Sequence, residues 1–265
     1  SDVYKRQILV RIIGMLYRIP VVNIIGSEGN GIYGAAFNIY NIMLVLSSYG
    51  LPMAVSKLVS ARFTKRRYKS AAKVLRCSLM VAVCTGGIAA LLVFFGASFI
   101  ENVIYGGGLP GLAIPLRILA PTIFLVAILG VIRGFFQGQS TMIPTAVSQI
   151  LEQIVNAIVS IAAGYGMMKA FASSPDVAAY GAAGSTLGTA MGALTAVLFM
   201  GFLYAVYTPT FNRLKRKDRH TENQSTGEIC KIIIYTMIPI ILGQTFYQIS
   251  ALIDDVMFSN IMTVS

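Results

Sequence analysis

The stretch VRIIGMLYRIPVV, residues 10–22, is apolar enough to enter a bilayer yet carries Arg11 and Arg18. Seven residues are close to two helical turns, so both guanidinium groups fall on one face of a helix, about 10 Å apart along its axis. Lipid does not suit that face. The run therefore reads as a membrane helix with one side turned to something polar.

Composition supports the same solvent. The chain is 56% hydrophobic and 12% charged, against roughly 25% charged residues in a soluble domain. Apolar runs recur at about the 20-residue length that spans a hydrocarbon core. Spans are expected at residues 8–25, 32–56, 74–99, 112–132, 144–168, 182–207 and 232–253. The fold class is all-α, a polytopic transmembrane bundle. Ser1 to Gln7, SDVYKRQ, reads as a translated adapter rather than native sequence, and the stop at Ser265 soon after an apolar run suggests a piece of a longer protein.

The net charge of +11 sits in connections between spans. Lys57, Arg62, Lys65, Arg66, Arg67, Lys69, Lys73 and Arg76 follow the second span without an acid. Arg213, Lys215, Arg216, Lys217, Arg219 and Lys231 follow the sixth, offset in part by Asp218, Glu222 and Glu228. The positive-inside rule places both connections in the cytoplasm and starts the chain there. The odd-numbered connections hold Glu28, Glu101 and the Lys169/Asp176 pair and face outward. Such a distribution favours anionic membrane lipids over nucleic acid as partners of the basic surface.

Polar residues inside spans carry the functional signal, because a charge at mid-membrane costs roughly 2.5–3.5 kcal/mol on insertion scales. Besides Arg11 and Arg18, the second span holds Asn38 and Asn41. In the fifth, Gln149, Glu152, Gln153 and Asn156 recur at helical spacing as a polar stripe, and the seventh holds Gln244 and Gln248 a turn apart. These ten residues are candidates for contact with a substrate; the alternative is hydrogen bonding between helices. Pro20, Pro52, Pro115, Pro121, Pro144 and Pro239 lie in or beside spans, consistent with ordinary membrane-helix composition or with bent helices that move during alternating access.

Nothing points to catalysis. There is no Walker-type loop, Gly106 to Gly108 lack a flanking strand and helix, and His220 lies in a basic connection. Cys77, Cys84 and Cys230 have no metal-ligand spacing. Neither cofactor nor metal is expected, although transport could be coupled to Na+, H+ or the membrane potential.

Several motifs carry a family likeness. YRIP at 17–20, GSEGNGIYG at 26–34, YGLPMAVSKLVS at 49–60 and RGFFQGQSTMIPTAVSQILEQIV at 133–155 resemble bacterial polysaccharide-biosynthesis exporters of the stage V sporulation protein B group. That group sits in a superfamily with the multidrug and toxic-compound extruders, oligosaccharidyl-lipid flippases and the lipid II flippase. The resemblance implies a MATE-like fold of roughly twelve to fourteen helices in two pseudo-symmetric lobes. Residues 8–207 would form the first six-helix lobe, 208–231 a basic cytoplasmic linker and 232–265 the opening helix of the second lobe. It further implies a bacterial plasma-membrane flippase for a lipid-linked oligosaccharide, working beside cell-wall synthesis enzymes. Arg11 and Arg18 match the first-helix arginines of the lipid II flippases apart from one residue in spacing, whereas Ile39 to Leu46 lacks the basic residue those proteins carry on the second helix. A cation-coupled drug antiporter of the same fold, for which Glu152 is the acidic candidate, and a non-transporting envelope or sporulation assembly factor are the alternatives.

Overall fold

The computed structural model describes the backbone of residues 2–106, 108–219 and 224–264 and the side chains of residues 19–106, 108–219 and 224–246. Among the described residues seven α-helices follow one another: α1 Asp2–Ser47, α2 Gly50–Thr64, α3 Tyr68–Phe99, α4 Ala113–Gln137, α5 Ile143–Ala170, α6 Val177–Lys217 and α7 Thr226–Val264. Among the described residues there is no strand.

α1 is really two helices. Its 46 residues would reach about 69 Å if straight, more than twice a hydrocarbon core. Gly26 interrupts it with φ 71°, ψ −177°, a conformation open to glycine and costly to a residue with a Cβ. The GSEGNGIYG segment is therefore not a long loop, because the helix resumes directly after Gly26.

The second apolar run, expected to be continuous over 32–56, is broken between Ser47 and Gly50. Pro52 has no N–H to offer the turn before it. In a bilayer the freed carbonyls need partners inside the protein. Thr85 of α3 supplies one, donating from Oγ1 to the Ser47 carbonyl at 2.9 Å, and Leu51 N–H turns to the Ser48 carbonyl at 3.1 Å.

Two other boundaries differ from expectation. α4 passes residue 132 and continues to Gln137, and α6 passes 207 and continues to Lys217. Residues 208–217 are thus the last turns of a helix, and of the described residues in 208–231 only 218, 219, 224 and 225 lie outside helices. Lys215, Arg216 and Lys217 at the end of α6 complement the negative end of its dipole.

The bundle has two chemically distinct ends. At one, Glu101, on a π-helical turn after α3 (Ile100–Ile104), accepts hydrogen bonds from the N–H groups of Gly111 at 3.1 Å and Ala113 at 2.7 Å. These satisfy donors that the start of α4 leaves open. At the other end, Asp218 Oδ2 accepts the backbone N–H of Lys69 at 2.9 Å and Arg62 Nη2 donates to Gln224 Oε1 at 3.0 Å, joining the basic segments of α2, α3, α6 and α7.

The interior divides in the same way. One apolar cluster near the basic end joins Val55, Val59, Phe135, Met200, Phe211 and Ile233; the other joins Ile25, Ile32, Tyr40, Leu112, Leu116 and Ala179. The outside is also apolar: Ile88, Leu92 and Phe95 on α3 and Leu198, Phe202 and Val206 on α6 lie exposed in stripes. An apolar exterior of this kind faces lipid. The chain is a multi-pass membrane protein.

Close helix approach comes from small residues. α2 lies against Gly130, Gly134 and Gly138 of α4, and a Cβ added at Gly134 would stand 2.6 Å from the Pro52 carbonyl oxygen and 3.0 Å from Val55 Cβ. Overpacking at such a seam costs about 1–3 kcal/mol. Gly134→Ala should therefore lower the thermal unfolding midpoint of the detergent-purified full-length protein by several degrees, while Gly201→Ala, where a Cβ meets nothing within 4 Å, should not. Equal midpoints for the two variants would refute tight α2–α4 packing.

Candidate functional site

The break between α1 and α2 opens one wall of a cavity of about 590 Å³. Ser48, Tyr49 and Pro52 form that wall, and Arg133 and Gln137 of α4 and Gln149 of α5 face them. Gly130 admits Pro52 at close range, so the α4 backbone sits near enough to α2 for Arg133 to border the same space.

Arg133 organises the polar side. Its Nη2 donates to Glu152 Oε2 at 2.7 Å and its Nε to Ser148 Oγ at 2.9 Å. Ser148 passes its own proton to the Thr145 carbonyl at 2.8 Å, and Gln137 Nε2 reaches Thr145 Oγ1 at 3.5 Å. The Arg133 and Glu152 side chains retain 14% and 22% of their exposure. A charge held this deep needs a counter-charge and hydrogen bonds, and this guanidinium has both. Its fork is directed by α5, leaving the cavity polar but locally neutral.

The sequence candidates divide among several environments. Gln149 lines the cavity and Glu152 holds Arg133. Gln153 is half-buried on the same helix. Asn156 is buried at the seam with α6, where the single Ser160 hydroxyl proton is shared between Asn156 Oδ1 at 2.9 Å and the Ser185 carbonyl at 2.8 Å. There α6 presents Gly188 and Gly192, and a Cβ at Gly192 would lie 3.3 Å from Asn156 Cβ. The α5 stripe thus serves the cavity toward its start and helix packing further along. Asn38 and Asn41 are exposed on α1, whereas their neighbours Tyr33 and Tyr40 pack with Phe37 in the interior. Gln244 is half-buried on α7. The side chains of Arg11, Arg18 and Gln248 lie outside the described residues.

Arg133 itself was not among those candidates. It stands one residue past the expected end of the fourth span, where hydropathy stops but the helix does not. The available signal was the spacing of Arg133 from Glu152 within the RGFFQGQSTMIPTAVSQILEQIV motif, whose Gly138–Ser140 turn joins α4 to α5.

Residues 6–263 match the family model described as polysaccharide biosynthesis protein. The chain belongs to this family. It is 35% identical over 167 residues to lipid II flippase MurJ of Bacillus subtilis (strain 168), covering 61% of this chain and 31% of that protein. It is 29% identical over 194 residues to stage V sporulation protein B of the same organism, covering 72% and 36%. The chain therefore spans about a third of the length of each. Among solved structures, a MATE in complex with MaD3S superposes with a TM-score of 0.72 at 17% identity, covering 91% of this chain and 52% of that one. At that identity the likeness establishes the fold, which is the MATE-like helical bundle.

Within this frame the Arg133–Glu152 pair tests the site's geometry directly. Removing one partner of a fully buried pair costs about 3–5 kcal/mol, and residual exposure puts this pair below that range. Arg133→Met and Glu152→Gln should each lower unfolding stability, and the double variant should lose less than the sum by about 0.5–3 kcal/mol, the range for groups in contact. Strict additivity in thermal unfolding of the full-length protein would mean the two side chains do not meet.

Proposed function

We propose that the protein to which this lobe belongs is a flippase for a lipid-linked sugar precursor on an undecaprenyl-pyrophosphate carrier, lipid II or another glycan, delivered to the outer leaflet. The observation that carries this reading is the cavity bordered by Arg133. A pyrophosphate-linked sugar head is too polar to cross hydrocarbon unaided, and a planar guanidinium fork matches phosphate oxygens. The family membership and the name of the MurJ relative point the same way. Arg11 and Arg18 would extend the cationic path along α1, and the lipid tail would remain among the apolar stripes outside. The basic ends of α2, α3, α6 and α7 would face the cytoplasm.

The rival is a cation-coupled antiporter, for which Glu152 would be the ion site. One Glu152 oxygen is already engaged by Arg133 at 2.7 Å, and a guanidinium there repels a cation. A cation entering there would have to displace the guanidinium from Glu152, so the pair does not offer a free carboxylate site.

The two readings separate on substitution in the full-length gene product. Arg133→Ala and Arg18→Ala should each reduce appearance of lipid-linked precursor in the outer leaflet at least tenfold with membrane levels unchanged, and the lysine variants should recover part of it because a point charge replaces a fork. Arg11→Ala should be milder. Glu152→Gln should retain flipping, since it keeps an acceptor for Arg133. Loss of transport in Glu152→Gln with full transport in Arg133→Ala would establish the antiporter instead.

Orientation has its own test. In a cysteine-free background, an impermeant thiol reagent should label Glu28→Cys on intact cells and Arg66→Cys only after permeabilisation; both positions are exposed. Labelling of Arg66→Cys from outside would invert the proposed topology.

A further inference from the structure

A second recess lies at the basic end, away from the cavity described above. It encloses about 490 Å³ between α3, the end of α6 and the start of α7. Lys69, Lys73 and Arg76 project into it from α3, Lys215 joins from α6, and Met80 forms part of its apolar wall. Residues 69, 73 and 76 are spaced to share one helical face. None of the recess's described lining residues is acidic.

Helix physics does not favour this arrangement. The first turn of α3 contains no acid, and Lys69 lies there at the positive end of the helix dipole. Like charges a turn apart also repel. The nearby described carboxylates have other work: Asp218 Oδ2 accepts the Lys69 N–H at 2.9 Å, and Glu228 Oε2 accepts the Ser225 N–H at 2.9 Å in a capping box that starts α7. Lys73 Nζ donates to the Gln224 carbonyl, and Lys215 Nζ lies 5.2 Å from the Phe211 ring centroid. Neither partner carries a full negative charge. Thr226, at the start of α7, closes the recess on the remaining side. Four cations around one volume are complementary to an oxyanion.

We propose that this recess is a binding site for a phosphate group. Its wall also names the more natural source. Met80, 48% exposed, continues the α3 face toward the apolar stripe of Ile88, Leu92 and Phe95, so a phosphodiester seated among the cations would leave acyl chains running along lipid-facing surface. Basic pockets between membrane helices bind anionic headgroups in this way. A soluble phosphate shares the headgroup chemistry and lacks the chains.

The test uses the full-length protein in detergent, titrated with phosphatidylglycerol and followed by native mass spectrometry. Lys73→Gln/Arg76→Gln should weaken lipid binding roughly 25-fold, about fivefold for each charge removed. Lys65→Gln/Arg67→Gln, which removes as much charge from exposed positions outside the recess, should change it less than twofold. Lys73→Arg should retain binding, and lipid-free unfolding midpoints of the variants should match the parent, which excludes misfolding as the cause. Inorganic phosphate supplies the second arm. Failure to compete with phosphatidylglycerol assigns the site to the lipid, whereas competition lost in Lys73→Gln/Arg76→Gln assigns it to soluble phosphate. Equal weakening by the two charge-matched pairs, or none by either, would overturn the site and leave a diffuse basic surface.

Discussion

Hydrocarbon offers no water to a polar group that loses its partner, and this constraint shapes each irregular feature of the bundle. Where α1 yields to α2, the Ser47 carbonyl is taken by Thr85 Oγ1 from α3. Where Arg133 enters the interior, Glu152 and Ser148 meet it from α5. Where α5 carries Asn156 and Ser160 into a seam, the Ser185 carbonyl comes within 2.8 Å of the Ser160 hydroxyl, while Ser185 Oγ and Thr189 Oγ1 stay buried without a hydrogen bond among the described residues. A neighbouring helix answers the Ser47 carbonyl, Arg133 and the Ser160 hydroxyl, so the breaks and the tertiary packing require one another.

Close packing makes those answers reachable. A hydroxyl or guanidinium spans only a few ångströms, and bulky side chains at helix crossings would hold backbones too far apart. Gly130 and Gly134 bring α4 to Pro52, and Gly184, Gly188 and Gly192 let the α6 backbone approach α5. Small residues thus act less by their own burial than by bringing polar partners into range. The result is a cavity bounded by a helix break on one side and an ion pair on the other.

Hydropathy is a property of neighbouring residues in the chain, and what is local was legible. Apolar run lengths give the membrane bundle, and basic segments mark one end of it. A helix end held by partners distant in sequence was not legible. α4 outlasts its apolar run because Arg133 finds Glu152 nineteen positions later, and the first charge after an apolar run looks like a boundary when that partner is unseen. The α5 stripe shows the converse failure. Periodicity correctly places Gln149, Glu152 and Asn156 on one face, yet does not say which neighbour each meets along that face; Gln149 meets the cavity and Asn156 meets α6. Tyr33 and Tyr40, adjacent to exposed Asn38 and Asn41, are committed to aromatic packing for the same reason.

The two basic regions differ in how their charge is compensated. Arg133 is matched by a carboxylate within the fold, so its cavity is near electrical balance when empty, as burial demands. An anion entering there competes with Glu152 for the guanidinium, and its binding is weakened by the cost of that exchange. Such a site can bind and release. In the recess at the end of the bundle, Lys73 meets a carbonyl and Lys215 a ring, and none of the described lining residues is acidic. Solvent access makes that surplus tolerable, and an oxyanion there displaces no internal partner. The same residue chemistry therefore suits exchange in the interior and retention at the rim, according to whether the protein or its surroundings supply the counter-charge.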